Sequence, residues 1–138
     1  MQMEFINKNI LVGGSTNGIG WSAAKQFAER GGNITLVSRN IDLLKKRVST
    51  LFNNGVQKHH FIHLDFSKPI ELEKSLKEFI LKNSIEYDIV INNTGGPPGG
   101  KLENAQTEDL LSALNLHLIS FHKILGITLP GMKNKDSG

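Results

Sequence analysis

Two kinds of apolar run alternate along this 138-residue chain. The stretches "NILVG" (9–13), "NITLVS" (33–38), "HFIHLD" (60–65) and "YDIVINN" (87–93) concentrate β-branched and apolar residues. Three of them lack a clean polar alternation, which is the pattern of strands buried on both faces. Between them, "IGWSAAKQFAER" (19–30), "IDLLKKRVSTLFNN" (41–54) and "PIELEKSLKEFILKN" (69–83) repeat apolar residues at spacings of three and four. Each is about the length of a crossover helix. Gly31-Gly32 and Asn54-Gly55 are predicted to end the first two helices. Ser67 is the predicted N-cap of the third, with Pro69 in its first turn.

Strand and helix alternating in this way predict a parallel sheet with right-handed crossovers and helices on both faces. That is a doubly wound α/β architecture. Residues 107–130 read as one long or broken helix with Thr107 as N-cap and Glu108 and Asp109 at its positive end. No linker, repeat or low-complexity block interrupts residues 1–138, so a single domain is expected; the one loop of note is "TGGPPGGK", 94–101.

Composition narrows the classes of function. At 38% hydrophobic and 21% charged, the chain fits one soluble globular domain. It has no cysteine, which removes disulfide and cysteine-metal chemistry and suits a reducing, cytoplasmic compartment. The N-terminal stretch lacks a signal-peptide core, and no run approaches the about 18 apolar residues of a membrane helix. The net charge of +3 is dispersed. Lys45, Lys46 and Arg47 form the lone basic triplet and are expected on a solvated helix face, so neither a nucleic acid nor a membrane is an expected partner. His59 and His63 would share a strand face about 13 Å apart, and His117 and His122 are five apart on a helix, so no metal site is expected.

The strongest chemical signal is Gly14-x-x-x-Gly18-x-Gly20, between the first predicted strand and the first predicted helix. At that place glycines let backbone amides and a helix N-terminus approach a pyrophosphate. The segment "GGSTNGIG" resembles the cofactor turn of the short-chain dehydrogenase/reductase family, usually Thr-Gly-x-x-x-Gly-Ile-Gly, with Gly13 where threonine is common. "LDFS" (64–67) is similar to the family's Leu-Asp-Val-Ser, and "INNTGG" (91–96) to its Asn-Asn-Ala-Gly, with Thr94 for alanine. "NLHLIS" (115–120) resembles the helix that carries a catalytic-site asparagine.

The resemblance implies a Rossmann fold with sheet order 3-2-1-4-5-6-7 and a dinucleotide held by Gly14, Ser15, Thr16, Asn17, Gly18, Ile19, Gly20, Ser38, Arg39, Asp65, Phe66, Asn92, Asn93, Thr94 and Gly95. Asp65 would contact the adenine, and Asn115 would be the catalytic asparagine. It also implies hydride transfer between a nicotinamide and a small carbonyl or alcohol substrate, similar to that of 3-oxoacyl reductases, in a homo-oligomer. Cofactor choice follows from charge. An acidic residue at the end of the second strand would hold the ribose hydroxyl of NAD; this chain has Ser38 followed by Arg39, which leaves room for the 2′-phosphate of NADP and supplies a guanidinium to pair with it.

The family's proton-transferring Tyr-x-x-x-Lys pair has no counterpart here. Tyr87 is the single tyrosine and is followed at the fourth place by Ile91. The family's serine would follow a fifth strand, which "MKNKDSG" precedes. The expectation is a fold truncated before that strand, with an open apolar edge at the fourth strand that marks a partial chain or is covered by another chain. Two functional classes stand: the cofactor half of an NADP-dependent oxidoreductase, and a dinucleotide-binding module without turnover.

Overall fold

A computed structural model describes residues 3–96 and 99–138. Pro97 and Pro98, within the Gly-Pro loop singled out above, lie outside the described residues.

The described residues form four parallel strands, β1 (Asn9–Val12), β2 (Asn33–Ser38), β3 (His60–His63) and β4 (Ile89–Ile91), in the order β3-β2-β1-β4. Ile10 stands opposite Ile34 on one side and Ile89 on the other, and Leu36 opposite Phe61. Helices α1 (Gly18–Glu29), α2 (Ile41–Val48) and α3 (Pro69–Asn83) make the crossovers. Two apolar cores result, as a sheet buried on both faces requires. One joins Ile10, Val12, Ile34 and Leu36 to Ala24 and Ala28 of α1 and Leu44 of α2. The other joins Leu11, Val37 and Ile62 to Leu72 and Leu76 of α3 and to Ile124. Alternate residues of β1 and β2 thus serve opposite layers.

The doubly wound α/β expectation is met, with local corrections. The second helix was expected to run to Asn54, but α2 ends at Val48. Beyond it the backbone is held by tertiary bonds: His59 Nε2 donates to the Phe52 carbonyl at 2.9 Å, and the Asn53 side chain donates to the Gln57 carbonyl at 2.9 Å. Ser67 does not cap α3. Lys68 occupies that position, and the Ser67 hydroxyl turns back to Asp65 Oδ1 at 2.7 Å. Gln106, not Thr107, is the N-cap of the next helix, its N–H donating to Asp109 Oδ2 at 3.0 Å.

That helix, α4 (Thr107–Leu114), continues through a π-helical turn (Asn115–Ile119) into α5 (Ser120–Asn134). Together they make one 28-residue helix, Thr107–Asn134, with a mean hydropathy of 1.4 in its most apolar window, 11% of which is buried. By length and composition it could cross a membrane, which corrects the expectation that no segment would. It does so on average hydropathy, with Asn115, His117, His122 and Lys123 set among the leucines and isoleucines, and not by an unbroken apolar run of the kind considered from the sequence. The helix rests on α3 through buried Ile124 and Thr128, and Lys123 pairs with Glu73 of α3 at 2.7 Å. It leaves Leu110, Leu111, Leu114 and Leu118 exposed.

Candidate functional site

Parallel strands bring the C-terminal ends of β1, β2 and β4 to one edge of the sheet, where the turn after β1 closes over them. Backbone bonds fix its path: Gly13 N–H donates to the Ile91 carbonyl at 3.0 Å and Ser15 N–H to the Val37 carbonyl at 3.1 Å. The Ser15 hydroxyl is fully buried and accepts from Val37 N–H at 2.8 Å, so it is spent on the backbone of β2. Asn93, just past β4, donates its side-chain amide to the carbonyls of Gly13 and Gly14 at 3.2 and 3.3 Å.

Gly18, the first residue of α1, has φ +56°, and a Cβ built there meets nothing within 4 Å among the described residues. The backbone conformation, not crowding, requires glycine, and the space above it is open. Asn17 is the N-cap with φ −146° and ψ 172°, yet its side chain makes no cap bond among the described residues, and no acidic residue lies in the first turn. The first-turn amides therefore keep no intrahelical partner and carry the positive end of the helix dipole into open space. An anion is what such an end accepts.

A cavity of about 520 Å³ opens there, in the size range of small-molecule sites. Of the residues expected from the sequence, Gly14, Thr16, Asn17, Gly18, Ile19, Ser38, Arg39, Phe66, Asn93, Thr94 and Gly95 line it. Thr16 Oγ1 and Ser38 Oγ are 3.2 Å apart, which joins the turn to the end of β2. Five do not line it. Ser15 and Gly20 are buried beneath the turn, Gly20 directly against the carbonyls of Gly13 and Gly14. Asn92 and Asn115 lie outside the lining. Asp65 lines a smaller cavity of about 230 Å³ that shares Arg39 with the first. Burial works to raise the Asp65 carboxyl, but bonds from the Ser67 hydroxyl and amide, with Arg39 and Lys68 nearby, hold it below the usual carboxylate range.

Sequence reasoning missed several residues. Gly96 and Leu116 also line the cavity; both lie inside the quoted segments "INNTGG" and "NLHLIS" without having been singled out as site residues, so the signal was in those segments. Thr94 Oγ1 and His117 Nδ1 are 2.8 Å apart, tying the loop after β4 to the π-helical turn. Asn115 opens that turn, and its carbonyl accepts from Ser120 N–H. Arg47, expected on a solvated face, instead donates from Nε to the Thr16 carbonyl at 2.8 Å and from Nη2 to Asn17 Oδ1 at 3.2 Å. His59 serves the sheet, where Ile34 N–H donates to its Nδ1 at 3.1 Å. Burial lowers its pKa, as a ring that must accept at one nitrogen requires.

The comparisons with known proteins agree with this geometry. The chain is 32% identical over 130 residues to a hydroxysteroid dehydrogenase-like protein 1 of Gallus gallus, covering 93% of this chain and 39% of that protein. It is 28% identical over 134 residues to the 3-oxoacyl-[acyl-carrier-protein] reductase of Chlamydia trachomatis, covering 96% and 53% respectively. This chain thus spans about half or less of these relatives. The structure of L-sorbose reductase from Gluconobacter frateurii, complexed with NADPH and L-sorbose, superimposes with a TM-score of 0.88 at 25% identity, over 98% of this chain and 51% of that one. Residues 8–138 match the family described as short chain dehydrogenase. On that match, and on a sheet order and a Gly-rich turn that fit it, the chain belongs to the short chain dehydrogenase family.

Proposed function

We propose that this chain forms the cofactor-binding part of an NADP-dependent oxidoreductase that interconverts a small carbonyl compound and its alcohol. The observation that carries the reading is the joining of Ser38 and Arg39 to the uncapped start of α1 in one cavity. The main-chain amides around Gly14–Gly20 would hold the pyrophosphate, and Arg39 would pair with the 2′-phosphate across a position where Ser38 brings no opposing charge. The residues present fit such a dinucleotide, since the anion-accepting helix end is open and the cavity is of suitable volume. The nicotinamide would supply hydride chemistry.

Phe66 and Asn93 wall the same cavity, and Thr94 and Gly95 sit at the mouth of the loop where a substrate would enter. We assign Asn115 a catalytic-site role because it opens a π-helical turn adjoining the cavity through Leu116, and such turns are frequent at functional sites. The exposed leucines of α4 and the π-helical turn suit contact with a second copy of the chain. A reducing compartment, the cytoplasm, suits the absence of cysteine.

A second reading is favoured by Tyr87. The sole tyrosine is buried and its hydroxyl has no hydrogen-bond partner among the described residues, so it cannot hand a proton to a substrate in the cavity. On that reading these residues bind a dinucleotide without turnover of their own. Titrations with NADPH and NADH, followed by NADPH oxidation with a panel of small ketones and 3-oxoacyl thioesters, separate the two. Tight NADPH binding with turnover supports the oxidoreductase, binding without turnover the module, and no binding of either nucleotide overturns both.

A further inference from the structure

The Asn17 side chain is not where its position in α1 would send it. Asparagine is among the best helix N-caps, its side-chain oxygen accepting from the second or third amide of the helix. Asn17 has the extended backbone of an N-cap, yet its Oδ1 accepts instead from Arg47 Nη2 at 3.2 Å. The same guanidinium donates from Nε to the Thr16 carbonyl at 2.8 Å, and its Cζ lies 4.6 Å from the centre of the Trp21 ring. A planar fork fixed by two acceptors and an aromatic face has little freedom left, and a lysine could not reproduce it.

We propose that Arg47 is a positioning residue that holds the N-terminus of α1 uncapped and so open to the phosphates of the nucleotide. Without Arg47, Asn17 would rotate onto the amides of Ile19 or Gly20, and the capped end would compete with an incoming anion. Arg47 also secures Thr16, whose hydroxyl meets Ser38 at 3.2 Å, so the same contact sets the side of the cavity assigned above to the 2′-phosphate. The binding consequence rests on the proposed nucleotide site; the capping consequence does not.

Amide hydrogen exchange of the nucleotide-free full chain tests the second directly. In Arg47→Ala, exchange at Ile19 or Gly20 is expected to slow by about fivefold, the protection of one cap bond. In Asn17→Ala/Arg47→Ala that slowing is expected to vanish. Unchanged exchange in Arg47→Ala, or slowing that persists without Asn17, overturns the proposal whether or not a nucleotide binds. Titration with NADPH then reads the functional consequence: about tenfold weaker binding for Arg47→Ala, restored to within about twofold by adding Asn17→Ala. A direct pairing of Arg47 with the nucleotide would leave the double variant as weak as the single one, and that result counts against the proposal. If Arg47→Ala does not fold, Arg47→Lys keeps the charge without the fork and is read by the same exchange measurement, slowed Ile19 or Gly20 amides being expected and unchanged ones overturning it.

Discussion

The side-chain amide of Asn93 reaches back to the carbonyl oxygen of Gly13, 80 residues earlier, at 3.2 Å. It shares a second bond with Gly14, so the ends of β1 and β4 are held in one arrangement by a single donor group. Asn93→Ala is expected to lower stability by about 1–2 kcal/mol. Asn93→Asp should be worse, because a carboxylate would face two carbonyl oxygens. Chemical denaturation of both variants checks the order; an aspartate variant as stable as wild type contradicts it.

Cofactor preference should respond to the two residues at the end of β2. Arg39→Ala is expected to weaken NADPH binding about tenfold or more while leaving NADH within about twofold. Ser38→Asp should reverse the preference by repelling the 2′-phosphate. Calorimetric titration of each variant with both nucleotides measures this, and parallel losses for the two nucleotides would contradict it.

Tyr87 carries a hydroxyl that burial leaves without a partner among the described residues. Burial pushes the phenol well above its ordinary pKa. Tyr87→Phe is therefore expected to keep or raise stability, by up to about 1 kcal/mol. In wild type, ultraviolet titration should show phenolate only when the protein unfolds in base.

Asp88 is an acid-sensitive group of the fold. Its carboxylate is buried, which favours the neutral form, but the Asn9 amide at 2.8 Å, Lys135 at 2.9 Å and Lys8 at 3.5 Å outweigh burial and lower its pKa. The stability it contributes is present above the unfolded-state value of 3.8 and is lost as pH falls through the lower folded-state value. Asp88→Asn should cost about 1–3 kcal/mol at neutral pH and flatten the acid limb of the stability profile. Thermal melts from pH 7 to pH 2.5 give both readouts.

Leu114 lies in the exposed apolar stretch of the long helix. Leu114→Lys is expected to reduce self-association without lowering the melting temperature of the monomer by more than a few degrees. Light scattering coupled to size exclusion compares the two; an unchanged mass distribution counts against a second copy at this face.

The parts of the fold that the sequence made legible are those whose cause is local. β2 and α3 have the bounds expected from their apolar patterns, because burial on both faces and a proline at the first turn act within each segment. The end of α2 was illegible, since Gln57 reaches the carbonyls of Ala28 and Gly32, 29 and 25 residues away, and ties down the chain that follows the helix. Within the candidate site, the glycine spacing pointed to the turn, but nothing in "KKR" distinguishes Arg47 from its neighbours. Only folding brings α2 beside the start of α1, and with that contact a residue expected in solvent becomes part of the site's support.

Strand β1 has its charge clamp and the proposed nucleotide turn at opposite tips. Asn9 meets Asp88 at the first, and Gly13 meets Asn93 just beyond the last residue, about 13 Å away along a fully extended backbone. Substitutions around the aspartate should thus weaken the whole protein while leaving the proposed nucleotide grip of the folded molecules nearly unchanged.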